Sequence, residues 1–386
     1  MTVSSRPAQL DIAFDVPQKQ RIRFTDDVTG SDLAVLLDVL RPGHGQVPAK
    51  VLTVVDADVH DQHASLQVML QRMQRSSRIT LVAPPMVVPG GEAIKNGEDS
   101  LRQILHAIND YNLDRRSYVV VIGGGAVLDA VGFAAAMAHR GIRLVRLPTT
   151  TLGQADSGVG VKNAINYFSK KNWLGTFAVP WAVINDASLL QSLPARAFRC
   201  GFSEAVKVSL LKSAEDFHWL CENATAIANR QMDIACDAIH RSCVWHLRHI
   251  TAGGDPFEAL EARPLDFGHW SAHRLEAMTR YEVPHGEAVA IGVALDCLYS
   301  VEKFGFGDAA AMAVLQCMRD LQLPLWHSGM QRFDQLMSGL EEFRQHLGGR
   351  LTITMLRDVG SPIDVHEIDS GAMADAARRL EAYANS

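Results

Sequence analysis

The sequence predicts an α/β domain built on a Rossmann-like parallel sheet, followed by a mostly helical domain. Three observations predict it. Short β-branched runs alternate with helix-period stretches through the first half, several of those runs are apolar throughout, and strand signals nearly vanish after about residue 190.

Residues 51–56 (VLTVVD), 79–83 (ITLVA), 118–122 (YVVVI), 143–147 (RLVRL) and 182–185 read as strands. Helical spacing falls between them at 62–75, 101–111 and 127–139. Apolar strands need cover on both faces, and strand–helix–strand alternation makes neighbours parallel, with ligand sites beyond their carboxyl ends. Further on, 198–213, 216–230, 234–249, 287–303 and 309–321 read as helices, and one β-like run, 350–356 (RLTITML), stands alone. We divide the chain into an α/β domain, 1–190, and a helical domain, 191–386.

A length of 386 residues fits two domains or three and buries a large core without disulfide staples. The net charge of −6 excludes a nucleic-acid coat or a polybasic membrane anchor, so positive charge for an anionic ligand must be concentrated locally. Six scattered cysteines without a C-x-x-C pair read as reduced thiols. With neither an apolar targeting segment nor a run of about 18 apolar residues, the expectation is a cytoplasmic protein with no membrane and no nucleic-acid partner.

Gly123, Gly124 and Gly125 follow a buried strand and precede a helix (YVVVIGGGAVLD). Such a turn lets a pyrophosphate approach the backbone at a helix N-terminus, although a tight turn without a ligand fits the glycines as well. Asp129 lies on the first turn of that helix. Asp56 ends a strand where a ribose hydroxyl could be held, Glu92 and Lys95 follow another strand, and Thr149 and Thr150 follow a third. Four polar strand ends on one sheet edge suggest a nucleotide cleft.

In GHWSAH, His269 and His273 are four apart, on one face if helical, and His285 opens PHGEAVAIG. Glu204 and Lys207 share a helical face in GFSEAVK. One carboxylate and two imidazoles make a common three-ligand zinc set, which Glu204, His269 and His285 fit. Hydrogen-bonded core histidines are the alternative that spacing leaves open.

Taken in order, IGGGAVLDAVGFAAAMAHRG, LPTTTLGQADSGVGVKNAIN, KKNWLGTF, GFSEAVK and GHWSAH…HGEAVAIG resemble the sugar phosphate cyclases, of which 3-dehydroquinate synthase is the best known. The resemblance runs from about residue 51 to 360. It implies an NAD-binding domain, a metal-binding domain, an active site between them and a homodimer. It implies zinc, with cobalt as a substitute, on Glu204, His269 and His285. NAD contacts are implied for Asp56, Asp58, Glu92, Lys95, Gly124, Gly125, Asp129, Thr149 and Thr150. Asp156, Lys162, Lys207 and His273 are implied as catalytic, with Lys171, Asn172 and Arg248 around a sugar phosphate. Arg140 matches an arginine that reaches substrate phosphate across the dimer. The implied chemistry is transient oxidation by NAD⁺, phosphate elimination, reduction and intramolecular aldol closure.

Two departures bear on the substrate. Dehydroquinate synthases carry an Arg and an Asn before the first motif histidine, where this chain has Ala262 and Asp266, with Arg263 one position along. A carboxylate there disfavours an anionic substrate group. Near the C-terminus, Gln345 and His346 replace an expected lysine pair, in a phrase similar to the cyclases that use sedoheptulose 7-phosphate, such as 2-epi-5-epi-valiolone synthases. The expectation is a C7-cyclitol-forming cyclase with Asp266 and His346 at the substrate; the alternatives are 3-dehydroquinate synthase and a metal-dependent polyol or glycerol-1-phosphate dehydrogenase.

Overall fold

A computed structural model describes residues 10–42, 47–168, 170–253, 257, 264–346 and 349–386. Its N-terminal part is one all-parallel sheet of β1 (Arg21–Thr25), β2 (Ala49–Asp56), β3 (Ile79–Leu81), β4 (Met86–Val88), β5 (Tyr118–Gly123), β6 (Arg143–Pro148) and β9 (Ala182–Asp186). Neighbours run β1–β9–β6–β5–β2–β3, and β4 also pairs with β2. Every residue of β5 is buried. Val120 and Ile122 pack into one apolar layer with Val51, Val55, Val145 and Leu147. Val119 and Val121 pack into the opposite layer with Leu52, Val54 and Leu144. Two-sided burial is what uninterrupted apolar strands require.

Past residue 195 the architecture is mostly helical, around one large core centred on the His285–Phe304 helix. That helix is buried from Gly286 to Ser300. Among the described residues no helix is long and apolar enough to cross a membrane.

Several elements differ from expectation. The expected 62–75 helix runs Ser65–Gln74, and a separate short helix, Ala57–Gln62, starts straight off β2, where the Asp56 side chain accepts from Asp58 N. The 198–213 helix divides at Gly201, where a Cβ would lie 2.3 Å from Leu152 N. The β-like run does not stand alone: β10 (Ile353–Asp358) pairs antiparallel with β11 (Ser361–Val365), whose proline and exposed acid hide it. An antiparallel hairpin, β7 (Lys162–Tyr167) and β8 (Lys170–Phe177), lies off the main sheet where no strands were expected. Its exposed, polar second strand lacks an apolar run to read.

Arg146 on β6 is fully buried. Its guanidinium donates to the carbonyls of Gly158 (3.0 Å), Gly160 (2.8 Å) and Lys162 (3.2 Å) and to Asn163 Oδ1 (2.6 Å). Burial lowers its pKa to about 10, so it remains charged at neutral pH. This fan of bonds closes the loop between Asp156 and Lys162 onto the sheet. Arg146→Met leaves those buried acceptors without a donor, and urea unfolding should register a loss of about 3 kcal/mol or more.

Candidate active site

The carboxyl ends of β2, β5 and β6 lie side by side and form a cradle. Asp56 closes β2, and its carboxyl accepts from Asp58 N at 3.0 Å. Burial raises its pKa despite that bond. Gly124 caps the Gly125–Met137 helix from an extended conformation. A Cβ on Gly124 would meet Thr150 Cγ2 at 3.2 Å, and one on Gly125 would meet Ser157 Oγ at 2.6 Å. The glycines therefore leave amide groups open at a helix N-terminus, the arrangement that takes a pyrophosphate. Thr149 N donates to Gly123 O, tying the neighbouring strand ends together. Lys95, almost fully buried, donates to Asp129 Oδ2 at 2.9 Å. Glu92 lies in this region too, its Oε2 buried without a hydrogen bond. The residues fit a dinucleotide.

Across the cleft, three helices supply the second cluster. Glu204 lies on Phe202–Lys212, His269 begins His269–Met278, and His285 begins His285–Phe304. Gly268 has φ +77°, and a Cβ there would lie 2.6 Å from Val293 N, so the two histidine helices approach through glycine. Glu204 is 1% exposed, and its Oε1 accepts no hydrogen bond. Lys207 Nζ is in ion-pair contact with Oε2. His269 Nε2 and His285 Nε2 lie 3.5 and 3.6 Å from Oε1.

Ligands at about 2.1 Å from a tetrahedral ion stand about 3.4 Å apart. A buried carboxylate oxygen lacking a hydrogen bond, with two imidazole nitrogens at that spacing, fits a divalent cation. His273 stands next to them, its ring 5.3 Å from that of His269 and 5.7 Å from that of His285. The nitrogens of these three histidines lie within 4.8 Å of one another.

The surroundings are densely charged. Burial works to raise Glu204, yet Lys207, His269 and His285 hold it well below the usual carboxylate range. Burial works to lower His285, but Glu276 and Glu204 carry it up to about 9. Asp266 is kept low against burial by Lys162, His269 and Lys207. Asp156 is lowered against burial and the Glu204 charge by His246, whose Nδ1 lies 2.7 Å from Oδ1. Lys171 Nζ donates to Glu276 Oε1 at 2.8 Å and lies 3.8 Å from Glu92 Oε1.

The structure thus brings together Glu204, Lys207, His269, His273 and His285, with Asp156, Asp266 and Lys171 at the rim. Lys162 begins the hairpin and is exposed. Three expected residues are exposed. Arg140, expected to reach a partner's substrate across a dimer, lies beyond the far end of the Gly125–Met137 helix, roughly 20 Å along it from the glycine turn. Asn172 is exposed on the hairpin with φ +53°. Arg248 is exposed, its guanidinium over the Trp245 ring at 4.8 Å, and His246, two residues earlier, faces Asp156. The expectations for Ala262, Arg263 and the His346 side chain lie outside the described residues. Sequence reading missed His246 and Glu276; Glu276 shares a face with His269 and His273, which was the available signal.

A model described as 3-dehydroquinate synthase N-terminal matches residues 85–200, and one described as 3-dehydroquinate synthase C-terminal matches 201–344. The chain belongs to the 3-dehydroquinate synthase family. This is a family of carbon–oxygen lyases acting on phosphates, within the sugar phosphate cyclases. The 3-dehydroquinate synthase of Rhodopseudomonas palustris (strain BisB18) is 31% identical over 362 residues, covering 91% of this chain and 94% of that one. Among solved structures, the 2-epi-5-epi-valiolone synthase of Streptomyces hygroscopicus subsp. jinggangensis 5008, with NAD⁺ and Zn²⁺ bound, superposes with a TM-score of 0.85 at 25% identity. The match covers 97% of this chain and 99% of that one. A 2-deoxy-scyllo-inosose synthase complexed with carbaglucose-6-phosphate, NAD⁺ and Co²⁺ shares the fold, with a TM-score of 0.75, 20% identity, and coverage of 93% and 96%.

In this member of the 3-dehydroquinate synthase family the residues flanking His269 are clamped from the neighbouring helix. Fully buried Asp296 accepts from Gly268 N and from Trp270 Nε1, both at 3.0 Å. Burial pushes its carboxyl up to about 7 in spite of both donors. A raised carboxyl pKa favours the neutral folded form, so this contribution is complete below about pH 4 and lost as pH rises through 7. The stability advantage of the wild type over Asp296→Asn should therefore shrink across that window by up to about 4 kcal/mol, read by denaturant unfolding at fixed salt.

Proposed function

We propose that this protein is an NAD- and divalent-metal-dependent cyclase that converts a seven-carbon ketose phosphate, sedoheptulose 7-phosphate, into a cyclitol with loss of inorganic phosphate. The observation that carries the substrate choice is Asp266, a carboxylate held ionised beside Lys162, Lys207 and His273. A substrate carboxylate would meet a like charge here, whereas a hydroxymethyl group donates a hydrogen bond to it. The likeness to a 2-epi-5-epi-valiolone synthase supports the same reading.

Asp56, Gly124, Gly125 and Thr150 would hold NAD, and Glu204, His269 and His285 would hold the cation. When bound, NAD⁺ takes and returns one hydride at a substrate carbon, and the cation polarises the oxygen on that carbon. The remaining work falls to side chains. Lys207 and Lys171 place positive charge where phosphate leaves with the C–O electron pair, while the acidified proton on the carbon beside the transient ketone passes to the departing phosphate. Asp156, hydrogen-bonded to His246, holds that imidazole in one orientation beside the leaving group's path. His273, exposed beside His269 and His285, would exchange protons with the substrate oxygens. Because the hydride returns, the reaction has no net oxidation.

A second reading, 3-dehydroquinate synthase, draws on the curated relatives at 31–34% identity. The enzyme loaded with Zn²⁺ and NAD⁺ should release phosphate from sedoheptulose 7-phosphate without accumulating NADH. Release only from the heptulosonate phosphate of the shikimate pathway would overturn the substrate choice, and net NADH would point to a dehydrogenase. Asp266→Asn should move the ratio of kcat/KM values toward the heptulosonate by about tenfold.

A further inference from the structure

Glu276 has no part in the chemistry above, yet it is among the most buried acids in the chain, at 3% exposure. It lies on the His269–Met278 helix, seven residues after His269. Both of its oxygens are occupied by different elements. Oε2 lies 3.1 Å from Nδ1 of His285, at the start of the neighbouring helix. Oε1 accepts from Nζ of Lys171, on β8 of the hairpin, at 2.8 Å. Lys171 is in turn 3.8 Å from Glu92 Oε1, beside the nucleotide cradle.

We propose that Glu276 is a positioning residue that fixes the tautomer and rotation of His285 toward the cation, and is itself held in place by Lys171. The proposal rests on the reading of Glu204, His269 and His285 as the ligand set. A histidine that donates Nδ1–H to a carboxylate keeps its Nε2 lone pair free, and here Nε2 faces Glu204 Oε1. Such a carboxylate orients the ring and raises its basicity as a ligand. The Lys171 bond removes the freedom of the Glu276 side chain to rotate away. One oxygen is left for each donor, so no replacement with a single acceptor can serve both.

The test measures Zn²⁺ affinity of the metal-free full chain by chelator competition, together with the visible spectrum of the Co²⁺ form and the melting temperature without metal. Glu276→Ala should weaken Zn²⁺ binding by on the order of 10- to 100-fold and change the Co²⁺ spectrum. Glu276→Gln, which can still accept from Nδ1–H or from Lys171 but not both, should lose several-fold and decides the matter if the alanine variant fails to fold. Glu204→Ala serves as the check on the ligand set and should lose tight binding altogether. Wild-type affinity in either Glu276 variant, with Glu204→Ala defective, overturns the positioning role and leaves the ligand set standing. Wild-type affinity in Glu204→Ala overturns the ligand set instead. A drop in melting temperature with unchanged Zn²⁺ affinity and Co²⁺ spectrum means that Glu276 is only structural, and also overturns the proposal.

Discussion

The constraint on which the rest depends is the Glu204 carboxylate, buried and, at Oε1, without a hydrogen bond. A charge so placed is strongly unfavourable unless cations face it. Lys207 meets it from one turn along the same helix, and two imidazoles approach from two others. The backbone holds it there. Gly201, just before its helix, packs against Thr151 and Leu152, and a Cβ on Gly286 would lie 2.2 Å from Cys200 O. Thr151 Oγ1 donates to Phe198 O at 2.7 Å from the sheet side. The fold therefore fixes the carboxylate before any cation arrives, which is how precise ligand geometry is held.

The cleft is also where the two architectures meet. The sheet brings the carboxyl ends of adjacent parallel strands to one edge, where Asp56, the glycine turn and Thr150 converge. The helices bring the acid and the imidazoles. Between them runs a chain of charged contacts, from Glu92 through Lys171 and Glu276 to His285. A second contact across the junction, Asp156 with His246, joins the loop after β6 to the Met232–Ala252 helix. Arg146 supports that loop from beneath through the carbonyls it binds.

Much of this was legible in the residues. The central strands could be read because burial on both faces demands apolar runs, and their order in the chain implies parallel pairing. The edge strand β1 was not read, since RIRFT is short, lacks an apolar run and exposes Arg23 and Phe24 on opposite faces. The short helix that Asp56 caps escaped pattern reading because it is only six residues long, and the break at Gly201 escaped it because the close approach of Leu152 is a tertiary contact. Among site residues, the GHWSAH spacing announced its cluster, while His246 sat in a helix rich in histidine with nothing local to set it apart.

Local chemistry in the primary structure was enough to specify a glycine turn after a buried strand, two histidines one helical turn apart, and an acid and a lysine on one helical face. Those features follow from chain geometry over a few residues. Folding alone decided that Glu204 meets His269 and His285, that Glu276 spans two elements, and that Asp266 faces lysines 104 and 59 positions away in the chain. Such contacts depend on helix packing through Gly268 and Gly292 and on the hairpin that brings Lys171 to Glu276, and no short-range pattern encodes either.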